Sequence, residues 1–323
     1  MKTISVALCI LFCALAGIVP ARAQDYPTQT VRIVVPFAAG GAVDSLARII
    51  GAKLTEIWKH PVIVENKPGG AGNLAADTVA KAAPDGYTIL LTTNGLAISP
   101  SLYKSLPFDA TKDFVPVTQL IESPLLLIAA NNLQAGSLKE LIALSKAKPG
   151  TLNYGSTGVG NPLHLTMEML KHETGLDAQA VPYRGDGPLN TALIAGEVHL
   201  AVLPIGTGRS NVENKMVRGL AITSAQRSKA MPNLPTVAEQ GVTGFDASSW
   251  QGFFVPAKTP PDIVTKIYQG TKNALAAPDV QERLKAFTAE PVGSSPDAFA
   301  TKFKADLAKY AQVVKEAKIP LQE

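Results

Sequence analysis

The sequence predicts an α/β protein of two lobes, each a mixed sheet with flanking helices, joined by two crossing strands. Three observations carry that expectation. Short β-rich runs alternate with longer stretches of helical apolar spacing, the pattern of parallel, right-handed βαβ units. Two long β-rich runs, at 115–130 and 250–256, interrupt the alternation. Glycine-rich joints stand where strands hand over to helices.

Taken in order, 31–37 (VRIVVPF) reads as a buried strand. Residues 44–58 then place Leu46, Ile49, Ile50, Leu54, Ile57 and Trp58 on one helical face. A second strand at 62–65 leads through a glycine-rich turn to a helix over 73–83, and 87–92 (YTILLT) is a third strand. After the run at 115–130 the alternation restarts with a helix at 137–147, a strand at 151–154 and a helix at 162–173. Strand 180–183, helix 189–195 and strands 199–203 and 217–223 follow. Segment 250–256 (WQGFFVP) is the second long β run, and from Pro261 the chain is mostly helical. This order implies a discontinuous first lobe, 25–123 plus 251–323, and a second lobe, 124–250, with crossovers near 120–130 and 250–256. A single-domain barrel is the alternative, which the two crossing runs disfavour.

Residues 1–23 read as a signal peptide. Lys2 supplies a positive start, 4–19 carry no charge, and Ala21-Arg22-Ala23 places small residues at a cleavage site. The apolar run is shorter than the roughly 20 residues that cross a bilayer. The mature chain is expected to begin near Gln24 and to reside in the periplasm. Both cysteines, Cys9 and Cys13, fall in the removed part, and the residues before them, Leu8 and Phe12, are not small enough for a lipoprotein signal. No disulfide or thiolate metal site is then expected. The net charge of +4 falls by two when Lys2 and Arg22 leave, too mild for a nucleic-acid binder. A monomer is expected.

Open α/β sheets bind ligands at the carboxyl ends of their strands. Three glycine-rich loops fall there: 36–41 (PFAAGG), 66–72 (NKPGGAG) and 155–161 (GSTGVGN). Glycine lets backbone approach a ligand, and a first helical turn leaves N–H donors without partners and with partial positive charge. The third loop adds the Ser156 and Thr157 hydroxyls and the Asn161 amide. Together the first and third loops offer an anion a cradle from each lobe; the bland alternative is that such glycines only shape tight turns. Thr93 and Asn94 end a first-lobe strand with small polar groups. Arg184 and Asp186 end a second-lobe strand, either at the ligand or as a local surface pair worth at most about 1 kcal/mol.

Signatures of catalysis are missing. There is no phosphate-binding loop, nucleophile elbow or zinc helix motif, and the third loop has the order G-x-x-G-x-G rather than that of a dinucleotide site. His164, Glu168 and His172 stand four apart on one helical face, but the outer pair is separated by about 12 Å along the axis, too far for one ion. His164, in the first turn beside the third loop, is read as orienting the cleft, and His172 as solvated. No catalytic residue, metal or cofactor is expected.

Several segments in this order resemble the tripartite tricarboxylate receptor (Bug) family of periplasmic solute-binding proteins. They are 36–41 with Asp44, 62–69 (VIVENKPG), 84–88 (PDGYT), 153–160 (NYGSTGVG) with His164, and 183–185 (YRG). Later come 193–198 (LIAGEV), 235–239 (PTVAE) and 250–252 (WQG), so the resemblance covers nearly the whole mature length. It implies a type II periplasmic-binding-protein fold that closes on its ligand like a Venus flytrap. It also implies a carboxylate held between the first loop, at Phe37, Ala39, Gly40, Gly41 and Asp44, and the third, at Ser156, Thr157, Gly158, Gly160 and Asn161. Asp44 is expected to act through loop geometry, because its charge would repel an anion. Leu203 stands where many members carry Asp, which favours acids lacking an amine. The expected function is reversible binding of a small organic acid for an inner-membrane permease of the tripartite tricarboxylate type. Service to a sensor kinase is the alternative, and an exported hydrolase or isomerase the remote one.

Overall fold

The computed structural model describes residues 26–156, 161–183, 186–285 and 289–323. The signal-peptide expectation therefore lies outside the described residues, as do Thr157, Gly158, Gly160 and Arg184.

The first stretch of chain builds β1 (Val31–Val35), α1 (Ala42–Trp58), β2 (Val62–Asn66), α2 (Asn73–Ala80), β3 (Thr88–Thr93) and α3 (Gly95–Leu102), and ends in the long strand β4 (Phe114–Ala130). The second builds α4 (Leu138–Ala147), β5 (Asn153–Ser156), α5 (Pro162–Thr174), β6 (Gln179–Pro182) and α6 (Asp186–Ala195). It continues with β7 (Leu200–Pro204), α7 (Ile205–Glu213) and β8 (Val217–Ile222). Strand β9 (Ser248–Pro256) then returns to the first set, followed by α8 (Pro261–Ala276), α9 (Pro278–Lys285), the two-residue β10 (Glu290–Pro291) and α10 (Pro296–Glu316). No helix among the described residues is long and apolar enough to cross a membrane.

The strands join in the order β2-β1-β3-β9-β4-β7-β5-β6, with β8 and β10 also paired to β4. Strands β1, β2 and β3 are mutually parallel, as are β5, β6 and β7. Between them β4 and β9 run antiparallel, from Phe114 opposite Pro256 to Pro124 opposite Ser248. Two prolines are tolerated in β4 because of where they fall. Pro116 sits at a register shift, and Pro124 at the last pair with β9, where a missing N–H breaks no continuous ladder.

The register fixes where the strand ends meet. Thr93, at the end of β3, pairs with Gln251, which pairs with Ile121 of β4. Pro204, at the end of β7, pairs with Leu125 of β4 from the opposite direction. The carboxyl ends of the two parallel sets thus converge on the stretch from Ile121 to Leu125.

Burial follows the same division. On one face a single apolar core runs from Leu90 and Phe299 through Trp250 and Leu127 to Tyr154 and Leu170, continuous across both parallel sets. On the other face there are two cores, one around α1, α8 and α9 that ends on β4 at Ile121, and one around α6 and α7 that starts at Leu126. Between them Glu122 and Ser123 are only partly buried, in a strand otherwise buried from Val117 onward. The gap between the cores opens there.

Two helices escape the periodicity argument. Helix α3 buries Leu96, Ala97, Ile98, Ser99 and Leu102 and contains Pro100, so it has no polar face to contrast with an apolar one. Helix α7 (IGTGRSNVE) holds two glycines, and Gly208 lets it lie close on Ile128 and Leu126 of the sheet. Leu203 is fully buried in β7 within the second core, so it packs the sheet and does not line the gap.

Gly252 shows how tight the crossing is: an added Cβ would collide with the Phe299 ring and lie 3.1 Å from the Thr118 carbonyl oxygen. Gly252→Ala is expected to cost about 1–3 kcal/mol through overpacking. Urea denaturation should show this as a lower midpoint at unchanged slope.

Candidate functional site

A cavity of about 350 Å³ occupies the gap between the two cores. Ser123 and Pro124 of β4 and Ser249 and Gln251 of β9 line it from the sheet. Ala42 and Leu46 of α1 line it from one parallel set, and Ile205, Gly206 and Thr207 of α7 from the other. Among the described residues, no Asp, Glu, Lys, Arg or His lines it.

Two helices begin at this cavity. The N-cap of α1 is Gly41 and that of α7 is Pro204, and neither forms a side-chain cap. Helix geometry leaves the first-turn N–H groups without intrahelical partners, and the aligned peptide dipoles add partial positive charge there. Among the described residues, positive potential is therefore supplied from both sides by main chain rather than by cationic side chains.

The loop before α1 is braced from beneath. Asp44 is 2 % exposed. Its Oδ2 accepts from the Gly40 N–H and from Arg48 Nε, each at 2.9 Å, and its Oδ1 accepts from Asn66 Nδ2 at 2.9 Å. Asn66 Nδ2 also donates to the Phe37 carbonyl at 3.0 Å. The Arg48 hydrogen bond, assisted by those from Gly40 and Asn66, outweighs burial and holds the Asp44 carboxyl at about 2. Asp44 is thus spent on loop geometry and neutralised by Arg48. The Gly40 amide is spent with it, and Gly40 takes φ +85°, the left-handed region glycine favours. Phe37 and Ala39 are exposed at the loop's crest.

None of the described sequence candidates is among the residues that line the cavity, and the remaining ones are placed as follows. Thr93 is half-buried and its Oγ1 accepts from the Gly95 N–H at 3.2 Å. Asn94, 1 % exposed, donates from Nδ2 to the Tyr310 hydroxyl at 2.8 Å, and its Oδ1 accepts from Ser249 Oγ at the long distance of 3.5 Å. It stands behind the cavity wall and orients a residue that lines it. Ser156 is buried at the end of β5. Asn161 caps α5, its side chain accepting from the His164 N–H at 2.8 Å. His164 is buried and stacked on Tyr154, with ring centroids 6.2 Å apart, and burial lowers its pKa. Asp186 begins α6.

The His164, Glu168, His172 ladder is dispersed. Glu168 accepts from the Tyr154 hydroxyl at 2.5 Å and from Lys171 at 2.8 Å, while His172 pairs with Glu316 at 3.1 Å. No metal-ligating group of three side chains occurs among the described residues.

Sequence reasoning missed Ser123, Thr207, Ser249 and Gln251. The signals were present but faint. Glu122-Ser123-Pro124 breaks the apolar run of β4 at its middle, Ser249 and Gln251 share one face of β9, and Pro204 precedes a short segment that could open a helix.

Residues 46–319 match the family model described as tripartite tricarboxylate transporter family receptor. Among solved structures, R. palustris Rpa4515 with adipate is 35% identical, covers 92% of this chain and 100% of its own, and superposes with a TM-score of 0.77. The periplasmic binding protein BugD is 33% identical with coverages of 92% and 100% and a TM-score of 0.74. MatC (Rpa3494) from Rhodopseudomonas palustris with bound malate is 32% identical with coverages of 90% and 100% and a TM-score of 0.73. The type II periplasmic-binding-protein fold is common to them and to this chain.

Asp44→Ala should cost about 2–3 kcal/mol by stranding the Gly40 and Asn66 donors. Because the folded carboxyl is depressed, the difference from wild type should be full above about pH 4 and fade as the pH falls through about 2. Denaturation of both proteins across that range checks the sign.

Proposed function

The chain belongs to the tripartite tricarboxylate transporter receptor family, and from that premise we propose that it is a periplasmic solute-binding protein that reversibly holds a small carboxylate. The carrying observation is the meeting of two uncapped helix starts, from α1 and α7, at one cavity that no charged side chain among the described residues lines. An anion there is bound by main-chain N–H groups and neutral hydroxyls. Micromolar affinity corresponds to about −8 kcal/mol. Hydrogen bonds to a charged group contribute about 1.5–3 kcal/mol each, so four to six suffice before ordering costs. The relatives solved with adipate and malate support a carboxylate as ligand.

We read the loop from Phe37 to Gly41 on one parallel set, and Ser156 and Asn161 on the other, as the lips of the site. A ligand touching both sets stabilises their closed arrangement, and that arrangement is what a permease of the tripartite tricarboxylate type reads. Binding proceeds without turnover. Among the described residues the lining has hydroxyls but no Asp, Glu, His or Lys to activate them, which argues against a hydrolase.

A panel of mono-, di- and tricarboxylates, with sugars and amino acids as controls, tests the proposal by thermal shift. At a hundredfold excess over Kd the stabilisation is about 2.7 kcal/mol, a rise of several degrees. The expected outcome is that rise with at least one acid, recovered unchanged by mass spectrometry. A response confined to neutral ligands, or a chemically altered acid, refutes the assignment.

A further inference from the structure

The cavity holds acceptors as well as anion-binding donors. Ser249 and Gln251 stand two residues apart on β9, so they share the face that lines the cavity. Tyr310 engages Asn94 Nδ2, which leaves Asn94 Oδ1 to take the Ser249 proton. Ser249 then turns to a ligand with its lone pairs. Gln251 Oε1 is buried with no hydrogen-bond partner among the described residues. A buried acceptor without a donor is a cost that a folded protein normally avoids, and at a binding site the missing donor comes with the ligand.

A plain carboxylate cannot supply it, since an ionised carboxylate only accepts. An ammonium could donate, but among the described residues no acidic side chain lines the cavity to balance its charge. A hydroxyl donates without charge. We infer that Ser249 and Gln251 form a hydroxyl-reading pair, which selects hydroxy-substituted carboxylates over the same acids without the hydroxyl. The inference rests on the carboxylate reading above and adds which carboxylates are preferred.

Matched acids separate the two claims: succinate with malate, glutarate with 2-hydroxyglutarate, and adipate with 2-hydroxyadipate. Each is titrated calorimetrically into the wild-type protein and into Gln251→Met and Ser249→Ala, with melting temperatures confirming that the variants fold. At least one hydroxy acid should bind about tenfold more tightly than its partner. In Gln251→Met, whose apolar side chain is of similar length, that ratio should fall towards one, and in Ser249→Ala it should fall in part. Equal affinities in wild type overturn the inference while leaving the carboxylate reading intact. So does a ratio that both variants preserve, which would mean that Gln251 presents its amide nitrogen to the carboxylate. Tighter binding of aspartate than malate overturns the neutral-donor argument and the inference with it. If no acid binds, both readings fall together.

Discussion

The antiparallel pairing of β4 with β9 is the constraint on which the rest of the molecule depends. It sets the directions of β3 and β7 relative to β4, and so makes two parallel sets end at the same five residues, Ile121 to Leu125. A helix that follows a parallel strand starts at that strand's carboxyl end, so the joints point inward from both sides. On one face the apolar core is unbroken across the crossing. On the other it divides at Glu122 and Ser123, and the division is the cavity. Any relative motion of the two sets is therefore a rotation about the continuous side, because separating that side would expose core.

Electrostatics in the first loop follow from packing. A carboxylate in the first turn of α1, beneath the proposed anion site, would oppose binding if its charge were free. Asp44 instead accepts from Gly40, Arg48 and Asn66, and Arg48 sits at the half-exposed edge where its own charge remains hydrated. The loop is shaped by a negative group whose field is cancelled locally. That arrangement uses one glycine amide for architecture and leaves the helix start behind it to carry the positive potential.

Much of this architecture was legible in the residues. Strands such as VRIVV and TILLTT are rich in β-branched and apolar residues and bounded by turn residues, and α1 has a clear apolar stripe. Helices α3 and α7 were not legible, the first because it is short, contains Pro100 and has no polar face, and the second because its glycines and small polar residues imitate a loop. The site divided likewise. The role of Asp44 followed from its sign, whereas Ser123, Ser249 and Gln251 belong to strands whose pairing only the fold reveals. A cavity wall assembled from residues more than a hundred positions apart leaves little trace in local pattern.

The positive ends of α1 and α7 are made of peptide groups, and amino-acid replacement does not delete a peptide group. In the proposed anion site, evolution can exchange Ser123, Thr207, Ser249 or Gln251 for other neutral side chains and so retune what surrounds the charge, while the proposed capacity to hold a charge persists in every descendant that keeps the backbone. Such a division of labour suits a lineage that diversifies its cargo, since the inherited part of recognition lies beyond the reach of point mutation and the adjustable part carries no folding electrostatics to disturb.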